Sequence, residues 1–382
     1  MKSLTDPEDV RGEAVRQWKT FEMDERSHRA AAIFRAIADD DFLIRLCSTA
    51  PPENLPTWTL FAAIQLLGLR YDHEPIARYL RDGDETMALA DPEFAPVLVD
   101  FARRRESELL ELLADRTCQM NVAHRAGTAL VPTLCAMDRA APGGEYAIIE
   151  VGSSAGLQLL FDRFHYAYSN GATIGPESAD IRIEVTVVGG DFPVSSAPMP
   201  AVYERIGLDV SPVDLEEPDT MDWVRASAGF DLDLFDRILA AGLAGEIDVR
   251  RADAVEDLSD LVEEIPRNRR LIIYDSVAVC YMDGQKRRDF NEKLVELSRR
   301  RPLTWISMDP LLPTSAPRES VQDIRLATDL VGRFQDRFQM LVAVVSYRDG
   351  FKQSAPLAVS HPWGLSVDWL ADDAAFDRLD AW

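Results

Sequence analysis

The run Gly152-Ser153-Ser154-Ala155-Gly156 carries two chemistries that cannot both hold. Read as G-x-S-x-G, it is a sharp turn presenting Ser154 as a nucleophile, and the later order of Asp275 or Asp309, then His361, supplies an acid and a base in the sequence such a triad uses. Read as a turn of small residues, it lets a nucleotide approach bare backbone: Gly152 and Gly156 make room, and Ser153 and Ser154 contribute free N–H groups. Glu150, just before the turn, then places a carboxylate where a cationic ligand amine can be held by a charge-assisted hydrogen bond. A nucleophilic serine has no need of that acid.

The elements that must position these residues favour the second chemistry. From Val10 to about Arg139 apolar residues recur at three and four, as in Phe34, Ile37, Ala38 and Phe42 or Leu109, Leu110, Leu112 and Leu113, predicting an all-α domain over 1–140. Proline and turn residues punctuate it at "APPENLP", "DHEP" and "DPEFAP". Past "APGGE" the period changes. "YAIIEVG" predicts a first strand followed by a helix through Leu157, Leu160, Phe161 and Phe164. Further strands are expected at "IRIEVTVVGG", "IDVRRAD", "RLIIYDSVAV", "LTWISMD", "FQMLVAVVSYR" and "APLAVSHPWG", with helices over 285–300 and 316–334. Alternating strands and helices predict an α/β domain over 141–382, a mostly parallel sheet covered on both faces, whose last two strands, joined by "DGFKQS", form an antiparallel hairpin closing one edge. Because Tyr146–Val151 opens the sheet, no earlier strand-to-helix loop is available to build an oxyanion hole.

Composition bounds the partners. A formal net charge of -24 repels polyanions, which excludes nucleic acid and an anionic membrane surface as natural electrostatic partners, and the short basic runs Arg103 to Arg105, Arg267 to Arg270 and Arg299 to Arg301 read as solvated faces. Cys47, Cys118, Cys135 and Cys280 show neither disulfide nor zinc spacing, which fits a reducing cytoplasm. The longest apolar run, "LFAAIQLLGL", is interrupted by Gln65 and too short to span a bilayer. His28, His73, His124, His165 and His361 have no metal-binding spacing, so no metal is expected.

The stretch "IIEVGSSAG" resembles motif I of class I S-adenosylmethionine-dependent methyltransferases, an acidic residue before G-x-G-x-G, with Ser154 in place of the middle glycine. It is less similar to a dinucleotide-binding G-x-G-x-x-G, which needs a third glycine further on. The resemblance implies a methyltransferase-like, Rossmann-like core of seven strands. In "RIGLDVSPVDL" it puts Asp209 on the ribose hydroxyls, with Asp191 as the fallback; the long spacing makes 166–202 an insertion with its own strand. "DVRRADAVEDL" would bring Asp253 to the adenine amino group and Ala254 to its edge, and "LIIYDSVAVCYM" would face the methyl-transfer site with Asp275 and Ser276. Over nearly the whole chain, in "CQMNVAHRAGTALVP", "EVGSSAGLQLLFDRFHYAY", "GLDVSPVDL" with "DWVRA" and "HPWGLSVDWL", the sequence is also similar to an uncharacterised bacterial family known only as a numbered domain of unknown function.

Gln119, Asn121 and Arg125 fall on a predicted helix before the first strand, from which a lid can reach a ligand; on a helix such residues are also ordinary solvated positions. Asp275, His361 and Asp309 are the candidate bases for an acceptor's proton, His361 being equally a turn residue in "SHPWG". The expectation is methyl transfer from the sulfonium of S-adenosylmethionine to a small-molecule or peptide acceptor. The alternatives are a non-catalytic S-adenosylmethionine or nucleotide sensor, and a serine hydrolase using Ser154.

Overall fold

The computed structural model describes residues 6–51, 54–81, 84–120, 122–194, 198–228, 231–245, 247–311, 338–372 and 375–376. The helices are α1 (Pro7–Phe21), α2 (His28–Asp39), α3 (Asp41–Thr49), α4 (Pro56–Arg70), α5 (Ala77–Arg81), α6 (Met87–Ala90), α7 (Phe94–Arg104), α8 (Glu106–Asp115), α9 (His124–Thr128), α10 (Leu130–Ala140), α11 (Pro218–Ala228), α12 (Leu232–Ala244), α13 (Leu258–Glu264) and α14 (Gly284–Ser298). The strands are β1 (Tyr146–Val151), β2 (His165–Tyr168), β3 (Thr173–Ile174), β4 (Arg182–Gly189), β5 (Val202–Asp209), β6 (Val249–Arg251), β7 (Arg270–Ser276), β8 (Leu303–Pro310), β9 (Met340–Arg348), β10 (Phe351–Ser360) and β11 (Ser366–Trp369).

Two compact units emerge, one drawn from Met1–Asn121, Asp214–Asp236 and Asp336–Phe338, the other from Val122–Val213, Arg237–Gln335 and Gln339–Trp382. The sequence expectation put the division at 140/141; the units divide at Asn121, with 214–236 joining the N-terminal helices. Capping starts several of these helices: Asp6 accepts from Glu8 N ahead of Pro7, and Asp40 accepts from Phe42 N and Leu43 N. The helix α4, carrying "LFAAIQLLGL", is buried through nearly its whole length, and its Gln65 is accommodated because Nε2 donates to the Ala226 carbonyl of α11 at 2.7 Å. Trp223 of the same α11 donates to the Thr117 carbonyl at 3.0 Å, which ties 218–228 to this unit. No described helix is long and apolar enough to cross a membrane.

The second unit is built on the sheet, ordered β3-β2-β4-β11-β10-β9-β8-β7-β1-β5-β6. Every residue of β1 is buried, as the unalternated run "YAIIEV" predicts for a strand covered on both faces. Within the order, β6, β5, β1, β7 and β8 are parallel neighbours. The chain passes from β1 outward to β5 and β6, then returns to lay β7 and β8 on the other side of β1, so the direction of winding reverses between β1 and β7. Ligands of such sheets bind beyond the carboxyl ends of the strands at that switch point. One face packs Ala147, Ile149, Val151, Ile273 and Trp305 against Leu258, Leu261, Phe290 and Leu294 of α13 and α14.

Three expectations are corrected. Eleven strands take part among the described residues, not seven, because the short β11 pairs with both β10 and β4 and so adds the insertion strands β4, β2 and β3 beyond the expected end. The β9–β10 hairpin therefore lies inside the sheet and closes no edge. Its turn is the two residues Asp349 and Gly350, both left-handed (φ 53° and 84°), which match the twist of the flanking strands; Phe351–Ser354 already belong to β10. Finally, a seven-residue 3-10 helix, Leu157–Arg163, replaces the helix expected after β1. The helix expected over 316–334 lies outside the described residues.

Candidate functional site

The turn after β1 bends through three left-handed residues, Gly152 (φ 70°), Ser154 (φ 53°) and Gly156 (φ 72°). A Cβ on Gly152 would come within 2.4 Å of the Ala278 Cβ in the loop after β7, and one on Gly156 within 2.5 Å of Ile247 Cγ2 and 2.6 Å of Val249 Cγ2. Both glycines are thus required by the protein's own packing. Gly156→Ala is expected to combine left-handed strain of about 1–2 kcal/mol with overpacking of about 1–3 kcal/mol, lowering Tm by roughly 5–10 °C. A calorimetric Tm within a degree of the parent would show that the turn relaxes at no cost.

Asp209, at the end of β5, ties this turn down: Oδ2 accepts from Ser154 N at 2.9 Å and Oδ1 from Ser211 N at 2.7 Å. Each oxygen keeps a second lone pair. Ser153 is buried, while Ser154 is half-buried and its carbonyl accepts from Val213 N at 3.2 Å. The left-handed backbone at Ser154 is what a nucleophile turn needs, but the imidazole does not suit it. His361 Nδ1 accepts the Trp363 N–H at 3.1 Å, so the neutral ring carries its proton on Nε2 and has no lone pair left for a hydroxyl proton.

Glu150 is 1% exposed. Its Oε1 accepts from Gln158 Nε2 at 3.2 Å, and Gln158 Oε1 accepts from the Tyr274 hydroxyl at 3.0 Å. Oε2 is buried with no hydrogen-bond partner. Burial first, then the negative neighbours Asp209 and Asp275, push this carboxyl up to about 8.

The register levels Glu150 with Tyr274 and Val151 with Asp275. Side chains alternate, so Glu150 and Asp275 project from opposite faces of the sheet. Asp275 and Asp309 come together on the α14 face and bond to each other, fully buried. Asp275 accepts from Trp305 Nε1 at 2.7 Å and Val279 N at 3.4 Å; Asp309 accepts from Cys280 N at 3.4 Å and Ser307 Oγ at 3.3 Å. Burial raises both carboxyls, and Asp309, facing the Asp275 charge, is raised well above the carboxylate range and holds the proton they share. The pair thereby anchors residues 279–280 behind Val277, a β-branched residue held at φ 61°. Ser276, buried, ends β7.

Other candidates are engaged locally. Asp253 accepts from Val255 N at 2.8 Å and pairs with Lys286 Nζ at 2.5 Å; burial works upward on its carboxyl, but Lys286 and the backbone donors outweigh it and hold it below its ordinary value. Ala254 belongs to the core beside Leu258 and Val279. Asp191, exposed, lies just past the end of β4, a strand six places from β1 in the sheet. Arg125 lies on α9. Gln119 lies in an irregular stretch of the helical unit, not on the expected helix, because α8 ends at Asp115 and residues 117–120 do not continue it; Asn121 lies outside the described residues.

Sequence reasoning missed Gln158 and Tyr274. Their one signal was a polar group inside each of two apolar runs, "LQLLF" and "LIIYD". Among the described residues no group of three or more His, Cys, Asp or Glu is placed to hold a metal ion.

A family model described as "Uncharacterized protein conserved in bacteria (DUF2332)" matches residues 13–369. No curated protein matches the chain.

Proposed function

We propose that this chain, which belongs to that uncharacterised bacterial family, binds S-adenosylmethionine at the carboxyl ends of β1, β5 and β6 and directs its methyl group to a small-molecule or peptide acceptor. One observation carries the proposal. Beside the point where the winding reverses, the end-of-strand acids Glu150 of β1 and Asp209 of β5 flank a turn of small residues, and Glu150 keeps a buried oxygen with no protein partner. The residues fit the group: the Glu150 carboxylate suits an amine or sulfonium, and Asp209, though committed to the turn, retains lone pairs for ribose hydroxyls.

S-adenosylmethionine, when bound, supplies a methyl group already activated by its sulfonium. The chain's part is then to align donor and acceptor and to exclude water. Asp275 and Asp309 serve as positioning residues for the loop after β7, which abuts Gly152. Asp253 and Ala254 shape the far end of the site, beyond β6.

A sensor that binds without transferring is the second reading, favoured by one observation: Asp275 and Asp309, the buried acids nearest the cleft end of β7 and β8, have every oxygen committed to protein donors. Calorimetric titration with S-adenosylmethionine, S-adenosylhomocysteine, ATP and NAD tests the donor. Saturable binding of the two adenosyl sulfur compounds and none of NAD is expected; binding of NAD or ATP alone would refute it. Labelled donor incubated with cell extract then separates an enzyme, which passes label to an acceptor, from a sensor, which binds and passes none.

A further inference from the structure

Among the described residues three arginines are buried below a tenth of full exposure, and two of them are engaged through both terminal nitrogens. Arg29 pairs with Glu85 at 2.8 Å. Arg301 donates to the carbonyls of Ile265, Pro266 and Arg269. Arg125, 2% exposed, is different: Nε donates to the Pro362 carbonyl at 2.7 Å, Nη2 is buried with no partner, and no carboxylate pairs with it among the described residues. Taking a guanidinium out of water without a counter-charge is expensive. Its electrostatic neighbours are Tyr281, Tyr274, Cys280 and Asp309, and Asp309 is neutralised by the proton it shares with Asp275.

Tyr274 connects this orphaned cation to a carboxyl whose Oε2 is buried without a partner. Arg125 and Glu150 both act on the Tyr274 hydroxyl, which donates to Gln158, which in turn donates to Glu150 Oε1. The unit therefore buries, around one tyrosine, a guanidinium lacking an anion and a carboxyl with one oxygen lacking a partner. We propose that Arg125 and Glu150 form a clamp for an α-amino acid zwitterion, the guanidinium taking its carboxylate and Glu150 its ammonium. One ligand group then meets both needs. The clamp deepens the function proposed above, on which it rests only in the source of the zwitterion: the methionyl end of S-adenosylmethionine or a free amino acid.

The test is a binding series on the full chain. S-adenosylmethionine carries the whole zwitterion, decarboxylated S-adenosylmethionine keeps the same sulfonium with only the ammonium, S-adenosylhomocysteine has the zwitterion without the sulfonium, methylthioadenosine lacks the zwitterion, and L-methionine is the zwitterion without adenosine. The wild-type protein is expected to bind S-adenosylmethionine about 10- to 100-fold more tightly than decarboxylated S-adenosylmethionine, the worth of one charge-assisted pair. Arg125→Gln is expected to erase that difference while leaving methylthioadenosine unchanged. Equal wild-type affinities for the two ligands would overturn the clamp, and they need no variant that must fold. So would an Arg125→Gln protein, melting as the parent does, that weakens methylthioadenosine as much as S-adenosylhomocysteine. Binding of L-methionine with no binding of any adenosyl compound keeps the clamp and rejects the methyl-donor reading; binding of neither class rejects the clamp.

Discussion

Glu150→Gln is expected to abolish the stabilisation conferred by S-adenosylmethionine and, in the ligand-free protein, to raise stability above neutral pH. The native carboxyl titrates near 8 instead of its ordinary 4.5, because burial and the charges of Asp209 and Asp275 disfavour ionisation. Between those values the folded chain keeps a proton that the unfolded chain has released. Stability from this group is therefore full below about pH 4.5 and is lost as pH rises through about 8. The loss is on the order of a few kcal/mol. Glutamine keeps the shape, still accepts from Gln158 and does not titrate, so its urea-unfolding profile between pH 6 and 9 should be flatter than the parent's.

The same residue makes ligand binding a proton event. An ammonium or sulfonium beside Glu150 favours the carboxylate, so binding at pH 7 is expected to release close to one proton, read by calorimetry in two buffers of different ionisation heat. The glutamine variant should release none. Parallel pH profiles for parent and variant, together with unchanged ligand affinity, would remove Glu150 from the site.

Asp275→Ala should produce the largest loss of stability, about 3–5 kcal/mol, a sizeable part of what a domain possesses. Removing the carboxylate strands Trp305 Nε1, the Val279 N–H and the Asp309 carboxyl in a dry core, and leaves a cavity where the acid was. The loop after β7 then loses its anchor, and with it the surface that Ala278 presents to Gly152. Asp275→Asn keeps the volume and an acceptor for Trp305, so its cost should stay below about 2 kcal/mol. Denaturant unfolding of both variants decides the matter. A variant with alanine that unfolds like the parent, or one with asparagine as damaged as the alanine, would show that the acid pair does not hold the loop.

Part of the local structure around the candidate site is legible in the sequence. Glu150 falls in an unalternated apolar run that reads as a buried strand, so its place near a strand end followed from pattern, whereas Asp209 was placed at a strand end only by the resemblance of its motif. The central helix around "LFAAIQLLGL" was equally plain in its length, though not in what satisfies Gln65, since Ala226 is distant in sequence. The chain also showed where chemistry was to be expected, in a turn of small residues beside an acid.

What the linear pattern does not contain is pairing. Alternation says that Glu150 and Val151 point to opposite faces, but only the register of β1 against β7 puts Tyr274 beside Glu150 and sends Asp275 to meet Asp309. The insertion strands have ordinary strand patterns whether they form their own layer or extend the sheet; β11, four residues long, makes that choice by offering β4 an open edge. The segment 214–236 lies between two strand motifs in sequence yet belongs with the helices, because Trp223 and Ala226 find their partners there. Arg125 shows the division most sharply: local sequence makes it an ordinary helix arginine, and it becomes a buried, unpaired cation only when the Pro362 carbonyl, Tyr274 and the neutralised Asp309 close around it. Periodicity and residue type are short-range properties that the chain states by itself, whereas desolvation and charge balance depend on which distant segments fill the space around a group.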